Sequence, residues 1–139
     1  MLTEYIVSFI SNLNVIVRRV AGDNNLSLSQ YFTLLNISSS GILMGELSKL
    51  IGVDKSTLTR NIKILLNRNL VLKNQSSTDK REYIIILTQN GEELISRLEK
   101  DMDQKLANIL KDIDSTSKQR LSDMIESINW KMNCHINEL

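Results

Sequence analysis

Residues Asp54-Lys55-Ser56-Thr57-Leu58-Thr59-Arg60-Asn61-Ile62-Lys63 restrict the fold of this chain more than any other segment. They follow a short apolar-periodic stretch ending at Gly52 and precede two β-rich runs separated by an Asp79-Lys80-Arg81 turn. On a helix, at about 100° per residue, Ser56, Thr59, Arg60, Lys63 and Asn67 share one polar stripe, with Thr57 at its edge. Leu58, Ile62 and Leu65 line the opposite side. Such a helix is held by its apolar side and offers solvent a face of small hydroxyls and positive charge. Ser, Thr, Asn and Arg match base edges and phosphate oxygens, so the face suits the major groove of DNA.

Charge distribution agrees. The net charge of +1 is uninformative, but from Lys49 to Arg81 eight basic residues (Lys49, Lys55, Arg60, Lys63, Arg68, Lys73, Lys80, Arg81) stand against Asp54 and Asp79. That segment carries +6 and the remainder −5. A basic centre in an acidic frame is a footprint for a polyanion, although the same charges taken alone also describe a solvated face.

The length of 139 residues suits one domain, since typical domains span roughly 100–150. No apolar run reaches the ~18–20 residues of a membrane span. Met1-Leu2-Thr3-Glu4 lacks the basic start of a signal peptide, so a cytoplasmic protein is expected. Cys134 is the only cysteine, which excludes an intrachain disulfide. Cys134 and His135 are adjacent and therefore point apart on a helix, and a structural zinc needs four ligands. Helix packing and redox sensing are the two readings of Cys134. There is no Gly-rich phosphate loop, no nucleophile elbow, and one His without a partner nucleophile. The expectation is no enzyme, no cofactor and no metal.

Helical spacing of Ile6, Phe9, Ile10, Leu13, Val17 and Val20 predicts a first helix, with Gly22 as its stop. Ser27 and Gln30 form a capping box that opens a second helix carrying Tyr31, Phe32, Leu34 and Leu35. Ser38 to Gly41 is a turn, and a short helix runs through Leu47 and Leu50 to Gly52. Asp54 caps the polar-striped helix, which extends to about Arg68, and Asn69 sits where the chain turns through a left-handed conformation. Leu70–Leu72 and Tyr83–Leu87 read as a hairpin joined by the polar Asn74 to Lys80 segment. Thr88 caps a long helix bearing Leu94, Leu98, Met102, Leu106, Ile109 and Ile113. Ser115 to Ser117 is expected to break it before a last helix with Leu121, Met124, Ile125, Ile128 and Met132 on one side.

The three short helices and the hairpin can close a small core of their own. The long amphipathic helices at both ends then need a partner for their apolar stripes, and a second copy supplies one. A homodimer would present two reading helices to the half-sites of a palindrome; an intrachain bundle in a monomer is the competing arrangement.

From Ser27 to Gly91 the chain resembles the MarR (multiple-antibiotic-resistance regulator) family of winged helix-turn-helix transcription factors. The resemblance rests on Glu46-Leu47, Asp54-Lys55-Ser56-Thr57-Leu58-Thr59-Arg60, Asp79-Lys80-Arg81, and Leu87-Thr88 followed by Gly91. Length and helical ends also fit. The fold class it implies is mainly α with a small β-hairpin wing, in one domain over 1–139. Residues 27–91 would form the DNA-binding lobe, and 1–22 and 92–139 the helical dimerisation region. The resemblance places Asp54–Arg68 in the major groove and makes Val71–Leu87 the wing, with Arg81 in the minor groove and Asp79 orienting it. Many members repress genes until a small, often phenolic, ligand binds between the lobes and the dimer region, so such an effector is implied here too. Three departures stand out. Ser76-Ser77-Thr78 replaces a first Asp-x-Arg pair, Asn69 replaces a common Gly, and Ile64 and Leu66 stand where polar residues are usual.

The candidate DNA-binding residues are thus Lys55, Ser56, Thr57, Thr59, Arg60, Lys63, Asp79, Lys80 and Arg81. For Ser56 the alternative is a second hydrogen bond beside the Asp54 cap, and for Lys73 and Lys80 contact with phosphate or water only. The function expected is a sequence-specific regulator, a ligand-responsive repressor binding a palindromic operator as a homodimer. A winged-helix module that binds protein instead of DNA is the alternative.

Overall fold

The two short central helices are bounded by one strong signal each, a capping box at the start of the first and a left-handed glycine at the end of the second. In the computed structural model, which describes residues 1–138, α1 spans Leu2–Asp23, α2 Leu28–Leu35, β1 Ile42–Leu43, α3 Met44–Ile51 and α4 Lys55–Asn67. β2 (Val71–Gln75), β3 (Tyr83–Leu87), α5 (Gln89–Ile109) and α6 (Ser115–Glu138) follow. The Ser27 capping box is complete, with Gln30 N–H donating to Ser27 Oγ at 3.1 Å and Ser27 N–H donating to Gln30 Oε1 at 3.0 Å. α3 stops at Gly52, whose φ of 65° suits a residue without Cβ.

Two helices close on left-handed asparagines. At the end of α4, Leu70 N–H donates to Leu65 O and Asn69 N–H to Leu66 O, with Asn69 at φ 55°. The same paired pattern ends α1: Leu26 N–H donates to Ala21 O and Asn25 N–H to Gly22 O, with Asn25 at φ 56°. Both are Schellman closures. Gly22 is therefore not the stop expected from the sequence. It lies inside the helix, and Asn25 takes the left-handed position three residues later because that register lets Leu26 drop into the core.

The sheet has three strands in the order β1-β3-β2, all antiparallel. β2 and β3 pair from Val71↔Leu87 to Gln75↔Tyr83, so β2 continues three residues beyond the expected Leu72. β1 contributes Ile42↔Ile85 and Leu43↔Ile84 and was not foreseen, since two residues carry no period. Gly41 precedes it at φ 90°, close over Ile84 and Ile86, where a side chain would collide.

A single apolar core binds these elements, with Leu34, Leu47, Leu58, Ile62, Leu65, Ile85, Leu94 and Leu98 almost fully buried. The stripe Leu58–Ile62–Leu65 of α4 is thus its inner face, as its spacing predicts. Thr88 caps α5, its Oγ1 accepting from Gly91 N–H at 3.1 Å and donating to Asn69 O at 2.6 Å. Gly91 itself packs so tightly on the carbonyl of Leu70 that no Cβ fits.

The chain divides into two compact units, the first Met1–Met102 and the second beginning at Asp103. In the second, α5 ends at Ile109, short of Ile113. The break is not Ser115–Ser117, which forms the first turn of α6. Asp114 is the cap: its carboxylate accepts from Ser117 N–H at 3.0 Å and Ser117 Oγ at 2.6 Å, and this draws the serines into the helix. No residue of α6 is buried among those described.

Candidate nucleic-acid interface

The outer face of α4 is built by its N-terminal cap. Asp54 Oδ1 accepts from Thr57 N–H at 2.6 Å and from Ser56 Oγ at 2.9 Å. The backbone N–H of Thr57 first, then the Thr57 and Ser56 hydroxyls, hold the Asp54 carboxyl below its ordinary value. Ser56 is therefore tied into the cap, the alternative raised from the sequence, yet its oxygen keeps lone pairs on the exposed side. Thr59 Oγ1 donates to Lys55 O at 2.8 Å, and Thr57 Oγ1 accepts from Arg60 Nη2 at 3.4 Å. The hydroxyl protons being used within the helix, Ser56 and Thr59 face outward as acceptors, while Lys55, Arg60 and Lys63 are donors. Both kinds of group are what base edges and phosphates require. Ser56, Thr59, Arg60, Lys63 and Lys55 are all exposed, and Thr57 is half-buried.

Asn61 falls on the other side. It is 6% exposed, and its Nδ2 donates to Ser29 Oγ at 2.7 Å and Thr33 Oγ1 at 3.2 Å, docking α4 on α2. Ile64 stays 40% exposed, while Leu66 packs against the core.

In the wing, Arg81 N–H and Nε both donate to Asp79 Oδ1, at 2.9 and 3.2 Å, and Nη2 donates to Asp79 Oδ2 at 3.2 Å. This is the salt bridge and turn expected of Asp79, and the Arg81 hydrogen bonds hold its carboxyl below the ordinary value. The Arg81 side chain remains 91% exposed. Lys80 is exposed at the same turn. Ser76 is buried and shares a hydrogen bond of 3.0 Å with Thr78, so the segment lacking the first Asp-x-Arg pair is ordered by hydroxyls.

Lys55 and Thr59 from α4, Lys49 from α3, and Arg81 and Tyr83 from the wing line one recess of about 520 Å³. The structure thus brings α4 and the wing to a common concave surface. Lys49, counted in the basic segment, and Tyr83, read only as a strand residue, were not among the candidate DNA-binding residues; Lys73, whose Nζ lies 4.4 Å from the Tyr83 ring centre, stacks on it. Arg68, counted in the basic segment, does not belong to this surface. Its guanidinium turns back to bond Asn25 O and Asn24 O. Cys134 is exposed on α6, and no cluster of three metal-ligating side chains exists among the described residues. Among them, too, no helix is long and apolar enough to cross a membrane.

Residues 26–83 match the model of the MarR family. Over 140 aligned residues the chain is 24% identical to the HTH-type transcriptional regulator TcaR of Staphylococcus aureus (strain Newman), covering 96% of this chain and 93% of that protein. Among solved structures it resembles a MarR transcriptional regulator from Methanosarcina mazei Go1, with a TM-score of 0.81, 22% identity, and 96% and 99% of the two chains covered. Wild-type MarR from E. coli in its apo form gives the same TM-score at 20% identity, covering 92% of this chain and 96% of that one.

Proposed function

We propose that the chain is a member of the MarR family, whose model residues 26–83 match, and that it is a DNA-binding transcriptional regulator acting as a homodimer on a palindromic operator. The observation that carries this reading is the shared surface of α4 and the wing. Thr59 and Lys55 of α4 line the same recess as Arg81, which Asp79 braces, and Ser56, Arg60 and Lys63 are exposed along the same helix. α4 enters the major groove in this arrangement, and Arg81 reaches the adjoining minor groove, where narrow width concentrates negative potential. Thr57, Lys55 and Lys80 bond phosphates at the margins. Repression relieved by a small, phenolic-class effector is the regulatory mode we propose, and residues 27–91 serve as the reading lobe with 1–22 and 92–139 as the dimerisation region.

Selection of bound duplexes from a random pool tests the proposal. The expected product is an inverted repeat with half-sites one helical turn apart. Binding should also fall roughly 10³–10⁵-fold between about 50 and 200 mM salt if ~6–10 phosphates are engaged. No enrichment and no binding at low salt would transfer the assignment to a protein-interaction module.

A further inference from the structure

Arg68 stands at the C-cap of α4, at the end away from the capped N-terminus. Its Nη1 donates to Asn25 O at 2.8 Å and its Nη2 to Asn24 O at 3.2 Å. Asn24 is the C-cap of α1 and Asn25 its left-handed closing residue, so the guanidinium lies where the carbonyl end of α1 carries partial negative charge. Asn24 is held in its turn: its Nδ2 donates to Val20 O at 2.9 Å and to Asp101 Oδ2 of α5 at 3.3 Å. Both anchor points are rigid Schellman closures, and α1 packs mainly on α2. The Arg68 bonds are thus a direct polar tie from the reading helix to α1.

α1 is one uninterrupted helix of 22 residues. Its far half presents Leu2, Tyr5, Phe9 and Ile10 to solvent, each at least half exposed. On the reading proposed above, that half is covered by the second copy. We propose that Arg68 is a positioning residue for DNA recognition, transmitting the orientation of α1 to α4 and so setting the distance between the two reading helices of the dimer. It touches no DNA. This inference rests on the regulator reading and adds to it the element that fixes half-site spacing.

The test uses full-length Arg68→Met and Arg68→Lys beside the wild type. Binding is titrated on the selected operator, on operators with one base pair added or removed between half-sites, and on random duplex. Arg68→Met should bind the selected operator about tenfold more weakly, the loss expected when charge-assisted bonds are removed. It should also distinguish the altered spacings poorly and keep the wild-type salt slope. Arg68→Lys, which keeps a cation within reach of the carbonyls, should fall between the two, and it carries the test if Arg68→Met does not fold. Wild-type spacing preference in both variants would overturn the proposal. So would a salt slope lowered by about one ion, which marks a lost phosphate contact, or an equal loss on operator and random duplex. A wild type that binds no DNA would end the regulator reading itself, a result visible before any variant is compared.

Discussion

Single side chains on α4 divide by what their hydrogen-bonding groups are already committed to. Asp54, Ser56 and Thr59 spend donors or acceptors on the helix itself, whereas Arg60 has only a long 3.4 Å contact with Thr57 and keeps its other donors uncommitted. Arg60→Ala should therefore cost about 1–3 kcal/mol on the preferred operator and less on random DNA, if the guanidinium pairs bidentately with a base. Arg81→Ala should weaken both DNAs more evenly, with a bias at A·T-rich flanks. Titrations of both variants at one salt concentration decide this, and unchanged affinity in both would remove the interface. A second expectation concerns acid. Asp54, Asp79 and Asp114 all have carboxyls held below the ordinary value of 3.8, chiefly by hydrogen bonds from Thr57, Arg81 and Ser117 respectively. A depressed folded-state value means the stabilisation is complete above the unfolded value and vanishes as pH falls through the folded one. Thermal melting should thus drop more steeply below about pH 4 in the wild type than in an Asp54→Asn, Asp79→Asn, Asp114→Asn variant, whose amides do not titrate. Parallel curves would refute the assignment.

At the scale of elements, closures explain which boundaries could be read in advance. Ser27, Asp54 and Thr88 each precede an apolar-periodic run, and each caps a helix through its side-chain oxygen. Asn69 stands directly after the last periodic residues of α4 and takes the left-handed turn. Asn69→Ala should lose up to about 1 kcal/mol, because alanine keeps the Cβ clash of that conformation but lacks the short polar side chain with which Asn offsets it. Asn69→Gly should match or exceed the wild type, as measured by urea unfolding. Equal stability of all three would show that the turn is not strained. Asn25 escaped notice because Gly22 offered a stronger stop signal; only the burial of Leu26 decides between them. At α6 the serines read locally as a break, but Asp114 recruits them into the helix. β1 was illegible for a different reason. Its two residues become a strand only because β3 supplies an edge, and no local pattern records that.

Across the whole molecule, large apolar side chains are left in the open at both ends. In α6, Leu121, Met124, Ile125, Ile128 and Met132 are 41–62% exposed, and α1 shows the same over its first half. So much apolar surface on a monomer marks an interaction face. Sedimentation of the wild type should give about twice the 15.9 kDa chain mass. Ile125→Glu with Ile128→Glu should give monomers or insoluble chain. A wild-type mass of one subunit at micromolar concentration would end the dimer proposal. The amino-acid sequence by itself determined the helices, the caps at Ser27, Asp54 and Thr88, the hairpin and the polar stripe of α4. These depend on periodicity and on residues acting within about one turn of themselves. Tertiary structure alone decided that Asn61 is buried on Ser29 and Thr33, that Gly91 lies against Leu70, and that Arg68 bonds the end of α1. Each of these joins residues from 21 to 44 positions apart. A side chain's charge or polarity states which bonds it is able to make. The packing of distant elements determines which partner is within reach, and it turned Arg68 inward while leaving Arg60 free.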